Sequence, residues 1–418
     1  MNNSSPPNRA STVFIHSLIF MLPFLALISS FGVGLCSFAF LLAAIFYRRP
    51  AMAALRPVLP AVRPVLIAFA LALLLAVLNL CFSSGVLLRD MEKPTRMLAA
   101  ATVMLTVLAL RPQRRALWWG LIAGSIAGAV FIAYQRWGLG VDRPGGLINS
   151  ITFGDIVLCM GLLCLAGMQD FPGRAALWPG LGALAGLFGS IASGTRGGWI
   201  AIVFALIVLL RYSHVLRGRL RKGLALLALA LMVSAFFIPQ TGARVRVDQG
   251  INDVEQYLNG GETYTNVGIR FELWRSAVQL IKQHPLLGLN PISERSELQA
   301  LVEQGRVHPY VLDFPHYHND ILQALVFGGV LGLLVWAATL LVPMLFFLRM
   351  LNCPEASRNG AYAPALAGLL LVLSYFGFGL TEVIFWSVRS CMFYALMLFL
   401  LIGLCLNTQL PPASGEKA

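Results

Sequence analysis

The sequence predicts an all-α polytopic membrane protein with about 12 transmembrane helices and one large, mostly helical loop. Of its 418 residues, 58% are hydrophobic and only 12% are charged, and the mean hydropathy is +0.76. A soluble protein with this balance would aggregate. Apolar runs that could cross the bilayer core, which takes about 20 helical residues, recur along the chain. One long polar segment, residues 239–324, interrupts them.

Twelve apolar runs are interpreted as membrane spans. They cover roughly residues 12–30, 33–47, 64–83, 96–110, 116–134, 151–168, 176–193, 198–211, 223–238, 325–348, 361–380 and 387–406. The first run has no clear small-residue cleavage site after it, so it is interpreted as a span rather than as a signal peptide. The predicted organisation is residues 1–238 with spans one to nine, residues 239–324 as the large loop, and residues 325–418 with spans ten to twelve and a C-terminal tail.

The charges of the connecting segments predict the orientation of the chain. Alternate connections form two sets; one carries seventeen Lys and Arg residues against three Asp and Glu residues, and the other is close to neutral. Basic residues concentrate in cytoplasmic loops, so both termini are expected in the cytoplasm and the polar segment on the outer face. The basic clusters, including RGRLRKG at residues 217–223, are interpreted as a topology signal in contact with membrane lipids. No nucleic-acid partner is expected.

Arg196 is the most informative single residue. It lies in the sequence SGTRGG, residues 193–198, between two apolar runs on the predicted outer face. Glycines allow a tight turn that exposes backbone N–H groups, which suits anion binding. An arginine near the membrane interface is costly unless it is paired or solvated, so a functional contact is favoured over simple contact with lipid phosphate.

A second group of candidates lies in a predicted amphipathic helix of the polar segment. Apolar residues recur at helical spacing between positions 273 and 281. Arg270 and Trp274 are four residues apart and share a face of this helix. Arg270 also lies near the helix N-terminus, where the helix dipole favours anions. Arg275 is either a further substrate contact or part of an outward-facing surface.

Two further arginines are candidates with a clear alternative. Arg143, in DRPGG at residues 142–146, is either a third anion contact or the partner of Asp142. Arg389 lies in the last predicted span, shortly after Glu382. An internal ion pair there is at least as well supported as a substrate contact.

The histidines at the end of the polar segment are the candidate proton acceptors. His316 and His318 flank Tyr317, and Asn319 is placed to cap a helix that begins at Asp320. A neutral imidazole at this position can accept a proton from a hydroxyl group. A metal is the first rival because HxH pairs also bind metals, but no further ligands follow at tight spacing. No metal site is therefore predicted, and a histidine without a chemical role is the other alternative.

No motif indicates a cofactor. The outer segments contain no DxD cluster, and the chain has no P-loop, no GxSxG sequence and no CxxC among its seven cysteines. Metal-bridged diphosphate binding, ATP use, serine-hydrolase chemistry and redox chemistry are therefore not supported.

Three stretches of the chain resemble the bacterial O-antigen ligase and polymerase superfamily. They are SGTRGGWIA from residue 193, GIRFELWRSAVQLIKQHPLLGLNP from residue 268 and HYHNDILQALVFGGVLG from residue 316. Members of the superfamily have about a dozen spans and one large periplasmic loop before an H-N-x(n)-G-x-x-G segment. In this chain that segment is His318-Asn319 followed by Gly329 and Gly332.

The resemblance implies a glycosyltransferase of the bacterial inner membrane that acts on the periplasmic face. It implies transfer of a polysaccharide from undecaprenyl diphosphate and, in the ligases, lipid A–core oligosaccharide as the acceptor. Arg196 and Arg270 look like the arginines that hold the diphosphate, and His318 looks like the histidine that activates the acceptor hydroxyl. The resemblance also implies a metal-independent reaction and a membrane core similar to C-type glycosyltransferases. Direct attack with one base predicts inversion at the anomeric carbon.

Three other functions share part of this pattern. An O-antigen polymerase has the same motifs but often a second sizeable loop, and a protein O-oligosaccharyltransferase often carries extra C-terminal sequence. A transporter of lipid-linked sugars needs no base and should place charges deep in several spans, whereas the spans here are nearly free of acids. The ligase is favoured, and His318 is preferred to His316 as the base.

Overall fold

The computed structural model describes residues 9–82, 87–212, 223, 243–355 and 359–410. Within these residues the chain forms helices and loops and no β-strand, so the predicted all-α class is confirmed. The helices before the polar segment are α1 (Arg9–Phe24), α2 (Gly32–Phe46), α3 (Arg48–Phe82), α4 (Glu92–Ala99), α5 (Ala101–Leu110), α6 (Arg115–Ala133), α7 (Ser150–Gly167), α8 (Leu177–Ala192) and α9 (Ile200–Tyr212). The later helices are α10 (Ala243–Leu258), α11 (Asn266–Gln283), α12 (Pro291–Glu303), α13 (Asp320–Asn352), α14 (Tyr362–Gly379) and α15 (Val388–Asn407).

Eight helical segments in the described part of the chain are long and apolar enough to cross a membrane. They are Arg48–Cys81, Leu88–Leu110, Arg115–Gly138, Ser150–Asp170, Gly173–Ala192, Asp320–Asn352, Tyr362–Gly379 and Val388–Asn407. Three shorter apolar helices, Arg9–Phe24, Gly32–Phe46 and Gly197–Tyr212, coincide with further predicted spans. The predicted span at 223–238 lies outside the described residues apart from residue 223, so the count of twelve stays a prediction.

Helix α3 differs from the expected organisation. The basic stretch between residues 48 and 63 was expected to connect two spans, but it forms the first part of one 35-residue helix. Pro57, Pro60 and Pro64 lie inside this helix at spacings of three and four residues, so they share a face. Each proline removes one backbone donor, and the rest of the hydrogen-bond ladder continues past them. The expectation of a loop here was wrong.

The membrane helices pack around α14. Helix α14 contacts α7, α9, α13 and α15, and α15 is buried along nearly its whole length. Helices α6, α7 and α8 pack against one another, with α1 against α6. In contrast, α2 and α9 expose large apolar side chains such as Phe46 and Ile207, as expected of faces that contact lipid.

The described part of the polar segment has an apolar core of its own. Leu273, Ala277 and Leu280 form the buried face of α11, and this confirms the predicted amphipathic helix. They belong to one cluster with Leu298 and Leu301 of α12 and with Val326 of α13. Tyr317, which precedes α13, belongs to the same cluster. Because α13 contributes to this cluster and continues into the bundle, it links the polar segment to the membrane helices.

A break in α13 fixes this link. Gly329 has non-helical backbone angles (φ 58°, ψ −153°), which splits α13 into two helical parts. The segment at residues 285–289 fills the break: the N–H of Leu289 donates to the carbonyl of Val326 (2.7 Å), and the N–H of Val330 donates to the carbonyl of Pro285 (2.9 Å). These bonds satisfy backbone groups that the break would leave unpaired at the membrane surface.

Two glycines make this close approach possible. A β-carbon at Gly288 would overlap the backbone of Gly328, and one at Gly329 would overlap the backbone of Leu286. Gly288 also has a positive φ of 66°. The third glycine of the sequence pattern, Gly332, leaves room for the carbonyl of Ala324 on the other side of the break.

Candidate functional site

Two histidines and one glutamate meet at the N-terminal end of α13. Nδ1 of His318 lies 2.9 Å from Oε2 of Glu382, and Nε2 of His316 lies 3.5 Å from Oε1 of the same carboxylate. Glu382 is buried and belongs to the short connection between α14 and α15. The two imidazole rings are 4.4 Å apart and nearly perpendicular. One carboxylate therefore holds both side chains of the HxH pair.

Tyr317 anchors the histidine segment from the opposite side. Its side chain is 2% exposed and its hydroxyl donates to Glu294. Its backbone carbonyl accepts a hydrogen bond from the indole Nε1 of Trp274 at 2.9 Å. Because Tyr317 is directed into the core of the polar segment, His316 and His318 on either side of it are directed toward Glu382. Trp274 therefore holds the histidine segment in place.

Asn319 joins the histidine segment to two elements. Its side-chain oxygen accepts from the N–H groups of Ile321 (2.9 Å) and Leu322 (3.0 Å), so its predicted role as the N-cap of α13 is confirmed. Its side-chain nitrogen donates to the carbonyl of Leu380 at 3.0 Å, two residues before Glu382. Asn319 thus fixes the helix start relative to the turn that carries the carboxylate.

His318 is held in a strained backbone conformation. Its φ of 50° is in the left-handed region, which non-glycine residues seldom adopt. Such a conformation costs of order 1–3 kcal/mol and persists only where the surroundings enforce it. Here the Asn319 cap on one side and the buried Tyr317 on the other enforce it, and the result is the alignment of the His318 ring with Glu382.

The electrostatics of the cluster keep Glu382 charged and His316 neutral. Burial raises the pKa of the Glu382 carboxyl, whereas the hydrogen bond and charge from His318 and the charge of His316 lower it, and the net pKa lies below its ordinary value. Burial lowers the pKa of His316 to about 4, although the Glu382 charge acts in the opposite direction. A charged carboxylate only accepts hydrogen bonds, so it favours the tautomer of His318 with the proton on Nδ1. That tautomer leaves the Nε2 lone pair available.

The turn that carries Arg196 packs beside this cluster. A β-carbon at Gly197 would overlap the side chain of Thr381, which precedes Glu382, and one at Gly198 would overlap the carboxylate of Asp155. The hydroxyl of Thr195 donates to the carbonyl of Ser150 at 2.8 Å and ties the turn to the start of α7. The glycines of SGTRGG therefore allow the turn that carries Arg196 to lie close to α7 and to the connection between α14 and α15.

Arg270 reaches the same region from the polar segment. It is half-buried on α11, and burial lowers the pKa of its guanidinium. The charges of Glu382 and Asp155 raise that pKa and the charge of Arg143 lowers it. Glu382, Asp155 and Arg143 are thus the charged groups that influence Arg270. Arg143 is exposed, with its Cγ 3.9 Å from the β-carbon position of Gly194 in the Arg196 turn.

Asp155 lies beneath these residues. Its side chain is fully buried in α7, and neither of its carboxylate oxygens has a hydrogen-bond partner among the described residues. Gly198 permits this carboxylate to lie against the backbone of the Arg196 turn. A buried acid of this kind requires nearby positive charge, which Arg270 supplies in part.

Two predicted residues lie outside the cluster. Arg275 pairs with Glu272 at 3.4 Å, and its side chain is 57% exposed on the opposite face of α11. Arg389 donates to the carbonyl of Ser30 at 3.3 Å. The ion pair with Glu382, one of the two alternatives for Arg389, is not formed, because Glu382 is directed toward the histidines instead.

Sequence reasoning missed the partners that come from distant parts of the chain. Glu382 is 64 residues from His318 and was associated with Arg389. Lys93 lies 4.8 Å from the ring of Trp386, which in turn lies 5.3 Å from the ring of His316. Arg136 donates to the carbonyl of Ala192 at 2.8 Å, beside the Arg196 turn. The only signal for Lys93 and Arg136 was their place in connections on the predicted outer face.

The cluster also has the donor set of a possible metal site. Each of the three side chains offers one ligand atom, and these atoms, from His316, His318 and Glu382, all lie within 4.8 Å of one another. No third ligand lies near the HxH pair along the chain, since Glu382 joins the pair only through the fold. The same three groups are compatible with a hydrogen-bonded acid–base cluster, and the short contact between His318 and Glu382 fits that arrangement.

Comparison with known proteins agrees with the three motifs. Residues 181–337 match the family model described as O-antigen ligase. The resemblance to the O-antigen ligase superfamily is confirmed. The matched region contains Arg196, Arg270 and His318, and Glu382 lies beyond its end. Together with the eight apolar helices, the family indicates a multi-pass membrane protein.

Two relatives match parts of the chain at 22% and 26% identity. An uncharacterised protein of Haemophilus influenzae (strain ATCC 51907 / DSM 11121 / KW20 / Rd) is 22% identical over 270 residues, which cover 63% of this chain and 68% of the relative. An O-antigen ligase of Escherichia coli (strain K12) is 26% identical over 187 residues, which cover 44% of this chain and 41% of the relative. The chain thus spans about two fifths of the length of the E. coli O-antigen ligase.

Proposed function

We propose that the chain is an O-antigen ligase that transfers a polysaccharide from undecaprenyl diphosphate to lipid A–core oligosaccharide, on the periplasmic face of the bacterial inner membrane. The observation that carries the proposal is the His318–Glu382 contact of 2.9 Å beside the turn that contains Arg196. The E. coli relative with the name O-antigen ligase and the family match at residues 181–337 support it.

In the proposed reaction His318 is the general base. Its Nε2 takes the proton of the acceptor hydroxyl as that oxygen attacks the anomeric carbon of the donor sugar. The bond between the anomeric carbon and the diphosphate oxygen breaks, and its electron pair leaves with the diphosphate. Glu382 keeps the proton on Nδ1 and stabilises the imidazolium that forms. Attack opposite the leaving group inverts the anomeric centre.

Arg196 and Arg270 bind the diphosphate in this proposal. Negative charge develops on the diphosphate as it leaves, and fixed guanidinium groups in a partly buried site stabilise it. Arg196 approaches from the membrane bundle and Arg270 from the polar segment, so the diphosphate is held between the two. Arg143, near both, is a further contact for the donor. No metal ion takes part in the proposed mechanism.

The test is transfer in a purified system. The full chain in lipid nanodiscs is supplied with undecaprenyl-diphosphate-linked O-antigen and lipid A–core, and the product is followed as a ladder on a lipopolysaccharide gel. Wild-type protein is expected to form lipid A–core with attached polysaccharide. Loss of the base is expected to reduce the rate by roughly 10²–10⁴-fold, so His318→Ala should form almost no product.

The matched control is His284→Ala, which removes a histidine of the same polar segment that pairs with Glu297 at 2.8 Å. It should retain transfer. Wild-type activity in His318→Ala would overturn the base assignment. Elongation of the lipid-linked chain without transfer to lipid A–core would overturn the ligase assignment and favour a polymerase.

A further inference from the structure

A groove runs along the outer face of α11, opposite the buried apolar face. Its lining residues on α11 lie at positions 271, 274, 275, 278, 279 and 282, which is the spacing of a single helical face. Tyr257 of α10 and Arg306, which follows α12, complete its walls. Its volume is about 680 Å³, which is within the usual range for small-ligand sites. This feature is called the α11 groove below.

The α11 groove is positively charged. Arg275, Lys282 and Arg306 line it, all three are exposed, and no Asp or Glu is among its lining residues. Arg275 contacts Glu272, which is buried below the groove. Lys282 and Arg306 form no ion pair with any described residue. Guanidinium and ammonium groups arranged in this way suit a phosphate group.

The same groove has an aromatic wall. The rings of Tyr257 and Phe271 lie 5.1 Å apart, and those of Phe271 and Trp274 lie 5.9 Å apart. Flat aromatic faces offer apolar contact area with polar edges, and the C–H faces of sugar rings pack on such surfaces. The combination of cations and ring faces fits a sugar that carries a negative charge better than a simple inorganic ion.

The α11 groove adjoins the histidine cluster. Trp274 lines the groove and donates its indole N–H to the carbonyl of Tyr317, the residue between His316 and His318. A glycan lying along the groove would thus extend toward the proposed base. Arg270, the proposed contact for the donor diphosphate, is not among the residues that line this groove.

We propose that the α11 groove binds the acceptor glycan, and that this glycan is a phosphorylated oligosaccharide. Its sugar rings lie on Phe271 and Trp274, and a phosphate binds Lys282 and Arg306. The assignment to the acceptor rests on the proposed ligase function. The phosphate headgroup of a lipid has the same charge chemistry, so the experiment separates the two sources.

The first measurement is binding, which does not depend on transfer. The full chain in phosphatidylcholine nanodiscs is titrated with maltopentaose that carries one phosphate monoester and with unmodified maltopentaose. Wild-type protein is expected to bind the phosphorylated probe at least tenfold more tightly, with weaker binding at high salt. The double variant Lys282→Glu, Arg306→Glu should bind the phosphorylated probe at least tenfold more weakly than the wild type does. The control Arg89→Glu reverses one positive charge at an exposed residue outside the groove and should bind as wild type, and the single variants Lys282→Glu and Arg306→Glu, which make the same change in charge as this control, should each weaken binding.

The second measurement is kinetic. In the double variant the KM for lipid A–core is expected to rise at least tenfold, with kcat and the KM for the donor within twofold of wild type. Equal binding of both probes, or unchanged probe binding in the double variant, would overturn the proposal. Displacement of the phosphorylated probe when phosphatidylglycerol is added to the nanodiscs would assign the groove to a lipid headgroup and also overturn it. If the wild-type protein bound the phosphorylated probe as expected but transferred no polysaccharide, the ligase function would be overturned. The glycan site would still be supported.

Discussion

Glu382 and His318 form a hydrogen-bonded pair, with Oε2 and Nδ1 2.9 Å apart, although 64 residues of chain separate them. The carboxylate comes from the connection between α14 and α15, and the imidazole comes from the end of the polar segment. The pair therefore forms only when the polar segment is seated on the bundle. Its consequence is a defined tautomer of His318 with the Nε2 lone pair facing away from the carboxylate.

Removal of the Glu382 charge is expected to slow transfer without weakening acceptor binding. Glu382→Gln keeps the shape of the side chain but permits the other tautomer of His318, so kcat should fall by roughly 10–10³-fold while the KM for lipid A–core stays within threefold. Initial rates in the nanodisc assay measure both constants.

Glu297→Gln is the matched control, because Glu297 also pairs with a histidine, His284, at 2.8 Å in the polar segment. It should leave kcat unchanged. An equal loss in both variants would mean that Glu382 supports only the fold, and wild-type kcat in Glu382→Gln would remove its role in orienting His318.

Chelation of metal ions is expected to have no effect on transfer. In the proposed mechanism His316, His318 and Glu382 form an acid–base cluster, although their ligand atoms lie within 4.8 Å of one another. Prolonged incubation with EDTA, followed by elemental analysis of the protein and the transfer assay, checks this. Loss of activity that returns on addition of a stoichiometric divalent metal would show that the cluster is a metal site.

The glycines at the break of α13 are expected to differ sharply in their tolerance of a methyl group. Gly329→Ala forces a side chain onto φ 58° and into the backbone of Leu286, so it should destabilise the fold by ~2 kcal/mol or more and abolish transfer. Gly288→Ala should behave in the same way. Thermal unfolding and the yield of monodisperse protein measure the effect.

Gly328→Ala is the control, because a β-carbon at Gly328 meets no atom within 4 Å. It should keep near-normal stability and activity. If all three alanine variants were equally stable, the fit between residues 285–289 and α13 would not be required for the fold.

Arg270 is expected to act on the donor. Arg270→Ala removes a guanidinium that is half-buried and coupled to Glu382 and Asp155. The loss of one charge-stabilising donor costs roughly 10²–10³-fold in kcat, and we expect a fall of that order with the lipid-linked substrate. Arg89→Ala, at an exposed arginine outside the cluster, should be unaffected. A change in the KM for the acceptor alone would contradict the assignment to the diphosphate.

Acid is expected to destabilise the protein through His316. Its pKa is about 4 in the folded chain, because of burial, against an ordinary value of about 6.5. The unfolded chain therefore binds one more proton between these values, so stability falls as the pH is lowered from about 6.5 toward 4. The pKa of Glu382 is also lowered in the folded state. Protonation of Glu382 therefore adds to the loss of stability at the acidic end of this pH range. The charges of His318 and Lys93 also face His316 and lower its pKa.

The measurement is Tm as a function of pH for the wild type and His316→Gln. The variant should lose less stability than the wild type between pH 6.5 and 4.5, because it lacks the group that takes up the proton. His284→Gln serves as the control and should follow the wild-type curve. Parallel curves for all three proteins would exclude His316 as the source of the acid sensitivity.

The sequence determined the local features of this protein. Apolar runs of spanning length predicted an all-α membrane protein, and the periodicity of residues 273–281 predicted α11. The Asn319 cap followed from one residue type before a helix start. Each of these depends on neighbours within a few residues along the chain, where spacing alone decides which groups share a face. The same local reasoning failed at α3, because the basic stretch between residues 48 and 63 was assigned to a connection although it continues one helix.

Only the tertiary structure decided which groups meet. Glu382 rather than Arg389 belongs with His318, since the turn after α14 packs against the glycines of the Arg196 turn and against the start of α13. Trp274 holds the histidine segment, and the exposed face of α11 becomes a groove only when α10 and Arg306 lie beside it. These partnerships depend on close packing between segments far apart in the chain, and no periodicity in the sequence encodes them.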